Sequence, residues 1–91
     1  MRTTTFEAVT RAVTTERKFQ DDKWGEIETS GHTLGEWLLI AESELNEAKL
    51  ALIKGGSGRN SLRSEFIQTI AVLFAALEEH GLYDPTDRRQ L

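Results

Sequence analysis

The sequence predicts an all-α fold: an antiparallel helical hairpin with an N-terminal helix packed across it, completed into a helical bundle by oligomerisation. Three observations lead there. Glycines gather mainly at 25–35 and 55–58 and divide the chain into three segments of helical periodicity. No stretch shows sustained period-two alternation or an Asn-Gly or Asp-Gly hairpin turn. The seven residues "GGSGRNS" between the last two segments make a connection short enough to favour antiparallel neighbours.

The three helices are expected at about 4–23, 34–54 and 61–80, with a short C-terminal tail at 82–91. Thr4-x-x-Glu7 fits a capping box, and Phe6, Val9, Val13 and Phe19 give the first helix an apolar face. Thr33-x-x-Glu36 opens the second helix in the same way, and Gly55 stands where a left-handed C′ residue ends it. The third helix runs to His80 with Gly81 as its stop, and Asp84-Pro85 reads as an N-cap followed by proline at N1.

Composition narrows the function. A chain of 91 residues is one domain, 1–91, and folding buries only about 60–65% of its unfolded surface. Hydrophobic content of 38% against 29% charged residues is that of an ordinary globular protein. No apolar run reaches the ~18–20 residues a membrane span needs, and "MRTTTFEAVTR" lacks the apolar middle of a signal peptide, so a cytoplasmic protein without membrane partners is expected. There are no cysteines, which excludes disulfides, thiolate metal sites and cysteine nucleophiles. A net charge of −4 and a pI near 5.1 argue against a nucleic-acid partner, whose phosphates demand a basic surface. The segment from Phe66 to Leu77 is apolar almost all round. A helix in so small a protein has too few neighbours to cover every side, so a homodimer or homotetramer built on it is expected.

Two glutamates of the second helix raise the functional question. At 100° per residue an apolar arc of about 160° runs from Ile40 through Trp37, Ala48 and Ala41 to Leu38, with Glu44 inside it and Glu47 at its edge. Glu42 projects toward solvent. On the third helix Glu65 shares a face with Thr69, Val72 and Ala76, and the antiparallel pairing places Glu65 and Gln68 about one turn from Glu47. Carboxylates gathered away from water repel one another and lose hydration, and a divalent cation removes both penalties. Mg²⁺ or Mn²⁺ prefers such oxygen ligands and also offsets the charge of a triphosphate. The alternative is a solvated face on which Glu44 and Glu47 pair with Lys49, Lys54 or an arginine of the N-terminal helix.

Glu44-Leu45-Asn46-Glu47 followed, after seventeen residues, by Glu65-Phe66-Ile67-Gln68 resembles the ExxE…ExxD signature of MazG-like nucleoside triphosphate pyrophosphohydrolases. "FQDDKWG" and "HTLGEWL" ahead of the acidic motif resemble a small single-domain branch of that family. The resemblance implies an oligomeric all-helical enzyme that binds Mg²⁺ and converts a (d)NTP to the monophosphate and pyrophosphate. It also implies metal ligation by Glu44, Glu47 and Glu65, with Glu44 and Glu47 in the catalytic centre. Gln68 occupies the position of the last acid and offers a metal only a neutral oxygen. The alternative function is therefore a catalytically inactive helical module that binds a nucleotide, another small molecule or a protein partner.

Trp24 and Lys23 are candidate substrate contacts beside Asp21 and Asp22, with Trp24 offering a ring for base stacking. Trp37 reads as core. Lys54 reads as a helix C-terminal complement and Arg59 as a solvated loop residue, while Arg63 stays open as a phosphate contact. "GGSG" lacks the lysine and Ser/Thr of a P-loop, and His32 and His80 lack the spacing of a metal pair.

Overall fold

The computed structural model describes residues 3–25 and 31–86, with side chains from residue 5 onward. Three helices carry the chain: α1 (Thr3–Trp24), α2 (Leu34–Lys54) and α3 (Leu62–His80), with one 3-10 turn at Gly58–Asn60. The described residues contain no strand. The tail residues 87–91 and part of the α1–α2 connector lie outside the described residues, as does the Thr4 side chain of the expected first capping box.

Local chemistry sets the helix ends. Thr33 accepts from the Glu36 N–H at 3.0 Å while the Glu36 carboxylate accepts from the Thr33 N–H at 2.8 Å, so the expected capping box opens α2. Ser61 caps α3 by accepting from the Ser64 N–H. Gly55 and Gly81 close α2 and α3 with positive φ, but their ψ values of 153° and 163° are extended rather than left-handed helical. Each therefore turns the chain sharply away after a single N–H bond to the last helical turn. Asp84 accepts from both the N–H and the hydroxyl of Thr86, which forms the short turn expected at Asp84-Pro85.

α3 is the centre of the molecule: α2 packs along one side of it and α1 along another. The α2–α3 pair is antiparallel. The Trp37 indole N–H donates to Glu79 at one end, and Glu47 and Glu65 share a depression at the other. The core is small, with Trp37 and Ala41 of α2 against Val72, Ala75 and Ala76 of α3 and Ile40 at its margin. Alanines dominate this seam, so the helix axes can approach closely.

Two faces differ from the sequence expectation. On α1 the face turned to α3 is not the Phe6–Val9–Phe19 stripe. It is Val13 with Glu16, Arg17 and Gln20, all buried, while Phe6, Val9 and Phe19 are exposed. The polar side chains are turned inward because they find partners there: Arg17 bonds to Glu78 of α3 at 2.7 Å and to Asp21 at 2.9 Å, and Gln20 donates to the Gln68 carbonyl. On α2 only the Trp37–Ala41–Ala48 part of the apolar arc is buried. Leu34, Leu38, Leu45 and Leu52 are exposed, as are Phe66, Ile70, Leu73, Phe74 and Leu77 of α3, because no third layer covers that side.

The loop that joins α2 to α3 is compact. Asn60 and Ser61 donate to the Ser57 and Gly58 carbonyls, and a Cβ on Gly56 would collide with the Asn60 carbonyl. A Cβ on Gly35, inside the first turns of α2, would meet only Thr33 Oγ1, at an ordinary contact distance of 3.8 Å. The two glycines therefore predict opposite effects in chemical denaturation. Gly56→Ala should cost about 1–3 kcal/mol, and Gly35→Ala should stabilise by about 0.5–1 kcal/mol through helix propensity.

Candidate functional site

α1, α2 and α3 meet at a junction of acidic side chains. α3 contributes Glu65, buried at 6% exposure in its first turn. α2 contributes Glu44, half-buried on the seam, and Glu47, exposed one turn further along. α1 contributes Glu16, also buried. Glu44 lies on the same helical face as Trp37, Ala41 and Ala48, so the packing that buries those residues also carries its carboxylate inward.

The junction is electrostatically strained. Burial raises the Glu44 carboxyl above its ordinary value, and the charges of Glu65, Glu47 and Glu16 raise it further. Burial likewise raises Glu65, with Glu47 and Glu16 adding to the effect. Arg59 opposes the shift at both positions. One oxygen of Glu65, Oε2, is buried without a hydrogen-bond partner. Oxygen donors of this kind, one of them unsatisfied, suit a hard cation such as Mg²⁺ or Mn²⁺. Among the described residues no three acidic or histidine side chains stand in a ready-made ligand group. The carboxylates are neighbours, but they are not drawn around a common point.

Arg59, read from the sequence as a solvated loop residue, is instead part of the site. Its two Nη atoms donate to both oxygens of Glu16 at 2.9 and 2.8 Å, and its guanidinium lies 4.1 Å from the centre of the Phe19 ring. Gln68 holds that arrangement from behind. Its amide nitrogen donates to the Arg59 carbonyl at 3.0 Å and to Ser64 Oγ at 3.1 Å. The amide therefore does something a carboxylate cannot: an aspartate at 68 has no donor for the Arg59 carbonyl.

Beside the junction lies a cleft of about 530 Å³ between the C-terminal half of α1, the start of α2 and α3. Trp24, Trp37 and His32 supply its aromatic surfaces, Gln20, Asp21, Arg17 and Ser43 its polar groups, and Glu44 the wall nearest the acids. Trp37 is core, as expected, with its ring against the edge of His32 at 5.0 Å. Trp24 is half-exposed at the mouth, and the Lys23 ammonium sits 5.6 Å from its ring. Glu47 and Glu65 open on the other side into a depression of about 150 Å³ with Lys54 and Asn60. Arg63 is exposed and lines neither cavity.

The sequence reading thus missed Glu16, Arg17, Gln20 and Arg59. A signal for the first three was present: Val13, Glu16, Arg17 and Gln20 share one face of a helix, and no solvated face needs the valine. For Arg59 no local signal existed, because only the fold brings residue 59 to residue 16.

The raised carboxyls give the fold a pH signature. For Glu44 the folded value lies above the ordinary 4.5, so the folded state holds its proton more tightly than the unfolded chain. Stability is then highest where the group is protonated in both states and falls as pH rises from 4.5 through the folded value. Glu36 and Asp84, both lowered by the hydrogen bonds they accept, act in the opposite sense at lower pH, so the variant must be compared with wild type at each pH. Glu44→Gln should melt at a higher temperature than wild type at pH 7, with the difference shrinking toward pH 4.5; thermal melts across that range check it.

Comparison of the chain with protein-family models, with curated proteins and with solved structures found no match.

Proposed function

We propose that the protein is a metal-dependent nucleotide pyrophosphohydrolase that converts a (d)NTP to the (d)NMP and pyrophosphate. The observation that carries this reading is the double position of Glu44. It belongs to the acidic junction with Glu47 and Glu65, and it also forms the wall of the aromatic cleft. A base and sugar held in the cleft would direct the phosphate chain toward the acids, and a volume of about 530 Å³ lies within the range of small-molecule sites.

In this reading Glu44, Glu47 and Glu65 hold Mg²⁺ or Mn²⁺, and the buried unpartnered Glu65 oxygen gains a partner. A bound divalent cation supplies charge against the phosphate oxygens and acidifies water. The chain's own groups do the rest. Trp24 stacks on the base at the mouth, Gln20 and Ser43 offer hydrogen bonds inside the cleft, and Lys23 adds a cation at its rim. Glu44, which lines the cleft as well as the junction, would stand where it can hydrogen-bond the attacking water. Gln68 keeps its structural bonds and leaves the ligand set to the three acids.

One observation favours a second reading. Arg59 already neutralises Glu16 from within the chain, so part of the acidic charge is balanced without a metal. A non-catalytic module that binds a nucleotide, another small molecule or a protein partner would be built in the same way.

For assembly, we propose a homodimer or homotetramer. Leu34, Leu38, Leu45 and Leu52 on α2 and Phe66, Ile70, Leu73 and Leu77 on α3 flank the buried α2–α3 seam on the side away from the cleft. Each of these eight side chains is between 43% and 69% exposed, and burying such residues against a second copy is the usual way a small helical protein covers them. No helix among the described residues is long and apolar enough to cross a membrane.

Two measurements follow. Incubation with each (d)NTP and Mg²⁺ should release monophosphate and pyrophosphate, with Glu47→Ala, Glu44→Ala and Glu65→Ala each lowering kcat by about 100-fold or more. Binding of a non-hydrolysable nucleotide without turnover of any nucleotide would favour the second reading. In sedimentation, wild type should run as a dimer or tetramer and Leu73→Glu as a smaller species; a monomeric wild type contradicts the assembly.

A further inference from the structure

The Arg59–Glu16 pair is more than a loop anchor. Glu16 is buried and Arg59 is half-exposed, so the pair joins a fixed carboxylate to a guanidinium free to leave on the solvent side. The loop beneath it is held by several contacts. The 3-10 turn, the close approach of Gly56 to Asn60 and the Gln68 bond to the Arg59 carbonyl all fix the backbone of residue 59. The half-exposed side chain is the part of Arg59 that the loop does not hold, while Arg17–Glu78 and the Gln20 bond to the Gln68 carbonyl tie α1 to α3 independently of it.

Three facts bear on what would move it. Glu16 acts electrostatically on both Glu44 and Glu65, so it belongs to the same junction. The Glu65 Oε2 atom is buried in that junction with no partner. The carboxylates are not gathered into a ligand group while the guanidinium stands among them. A guanidinium and a divalent cation satisfy the same kind of oxygen, but the guanidinium carries one charge, hydrogen-bonds Glu16 and acts on Glu44 and Glu65 through its charge alone.

We propose that Arg59 is an internal, displaceable countercharge: it occupies Glu16 while the junction holds no divalent cation, and cation and guanidinium compete for the acidic junction. This rests on reading the junction as a divalent-cation site. Once displaced, the fork is released beside the junction, where its two parallel donors match the oxygens of a phosphate. Arg59 then has a different partner in each state: Glu16 before loading, the phosphate chain after it. It is a positioning residue for the acids in the first state and a substrate contact in the second.

Mn²⁺ titration of the full chain by calorimetry, without nucleotide, tests the competition. Arg59→Gln should bind Mn²⁺ about tenfold or more tightly than wild type, and Arg59→Lys, which keeps the charge but not the fork, should fall between them. In wild type, Mg²⁺ should shift the Arg59 side-chain Nε–H resonance as the guanidinium leaves Glu16. That readout needs no variant to fold. Equal or weaker Mn²⁺ binding by a folded Arg59→Gln protein, or an unmoved Arg59 resonance at saturating Mg²⁺, overturns the competition and leaves the cation site standing. Absence of Mn²⁺ binding in wild type and both variants overturns the cation site and the competition together.

Discussion

The rest of the structure depends on a conflict of charge: four glutamates from three helices meet at one partly shielded junction, with Glu47 at its exposed edge and Arg59 as the cation set against them. Two of the four, Glu16 and Glu65, are buried. Lost hydration and repulsion by acidic neighbours are why half-buried Glu44 and buried Glu65 hold their protons more tightly than usual. A small alanine-rich core tolerates that cost only if something returns the lost energy. Within the chain the bidentate Arg59–Glu16 pair returns part of it. The unpartnered Glu65 oxygen marks the part that is not returned.

The fold follows from the same economy of neighbours. α3 is covered by α2 on one side and α1 on another, so it supplies the core residues with no side chain larger than valine fully buried. Its remaining faces carry Phe66, Ile70, Leu73 and Leu77 to the surface. α1, having little apolar surface left to meet, is fastened through polar bonds: Arg17 to Glu78, Gln20 to the Gln68 carbonyl and Glu16 to Arg59. These bonds are directional, so they fix α1 in register with the acidic junction and place Trp24 at the mouth of the cleft. The polar face of α1 thus serves both packing and the site.

Much of this was legible in the sequence, and the illegible parts have a common cause. Helix limits at Thr33, Ser61, Gly55 and Gly81 were readable because capping is local chemistry. The inward position of Glu44 was readable because it follows from helical periodicity against Trp37, Ala41 and Ala48. The pairing of Glu16 with Arg59 was not, because the two are 43 residues apart and only the packing of α1 against the rest of the fold brings them together. The inner face of α1 was misread for a related reason: hydrophobicity points to Phe6 and Val9, but α3 does not reach them. Gln68 looked like a weakened metal ligand, and its neighbours give it another task, since the Arg59 carbonyl requires a donor.

The central claim is that Glu44, Glu47 and Glu65 close around one divalent cation that also meets a nucleotide held in the aromatic cleft. The most direct measurement is a crystal structure of the protein with Mg²⁺ and a non-hydrolysable nucleoside triphosphate. The account predicts one ion bridging carboxylate oxygens of α2 and α3 and touching the phosphate chain, with the base beside Trp24. A nucleotide bound elsewhere, or bound in the cleft with no ion between Glu44, Glu47 and Glu65, would contradict it.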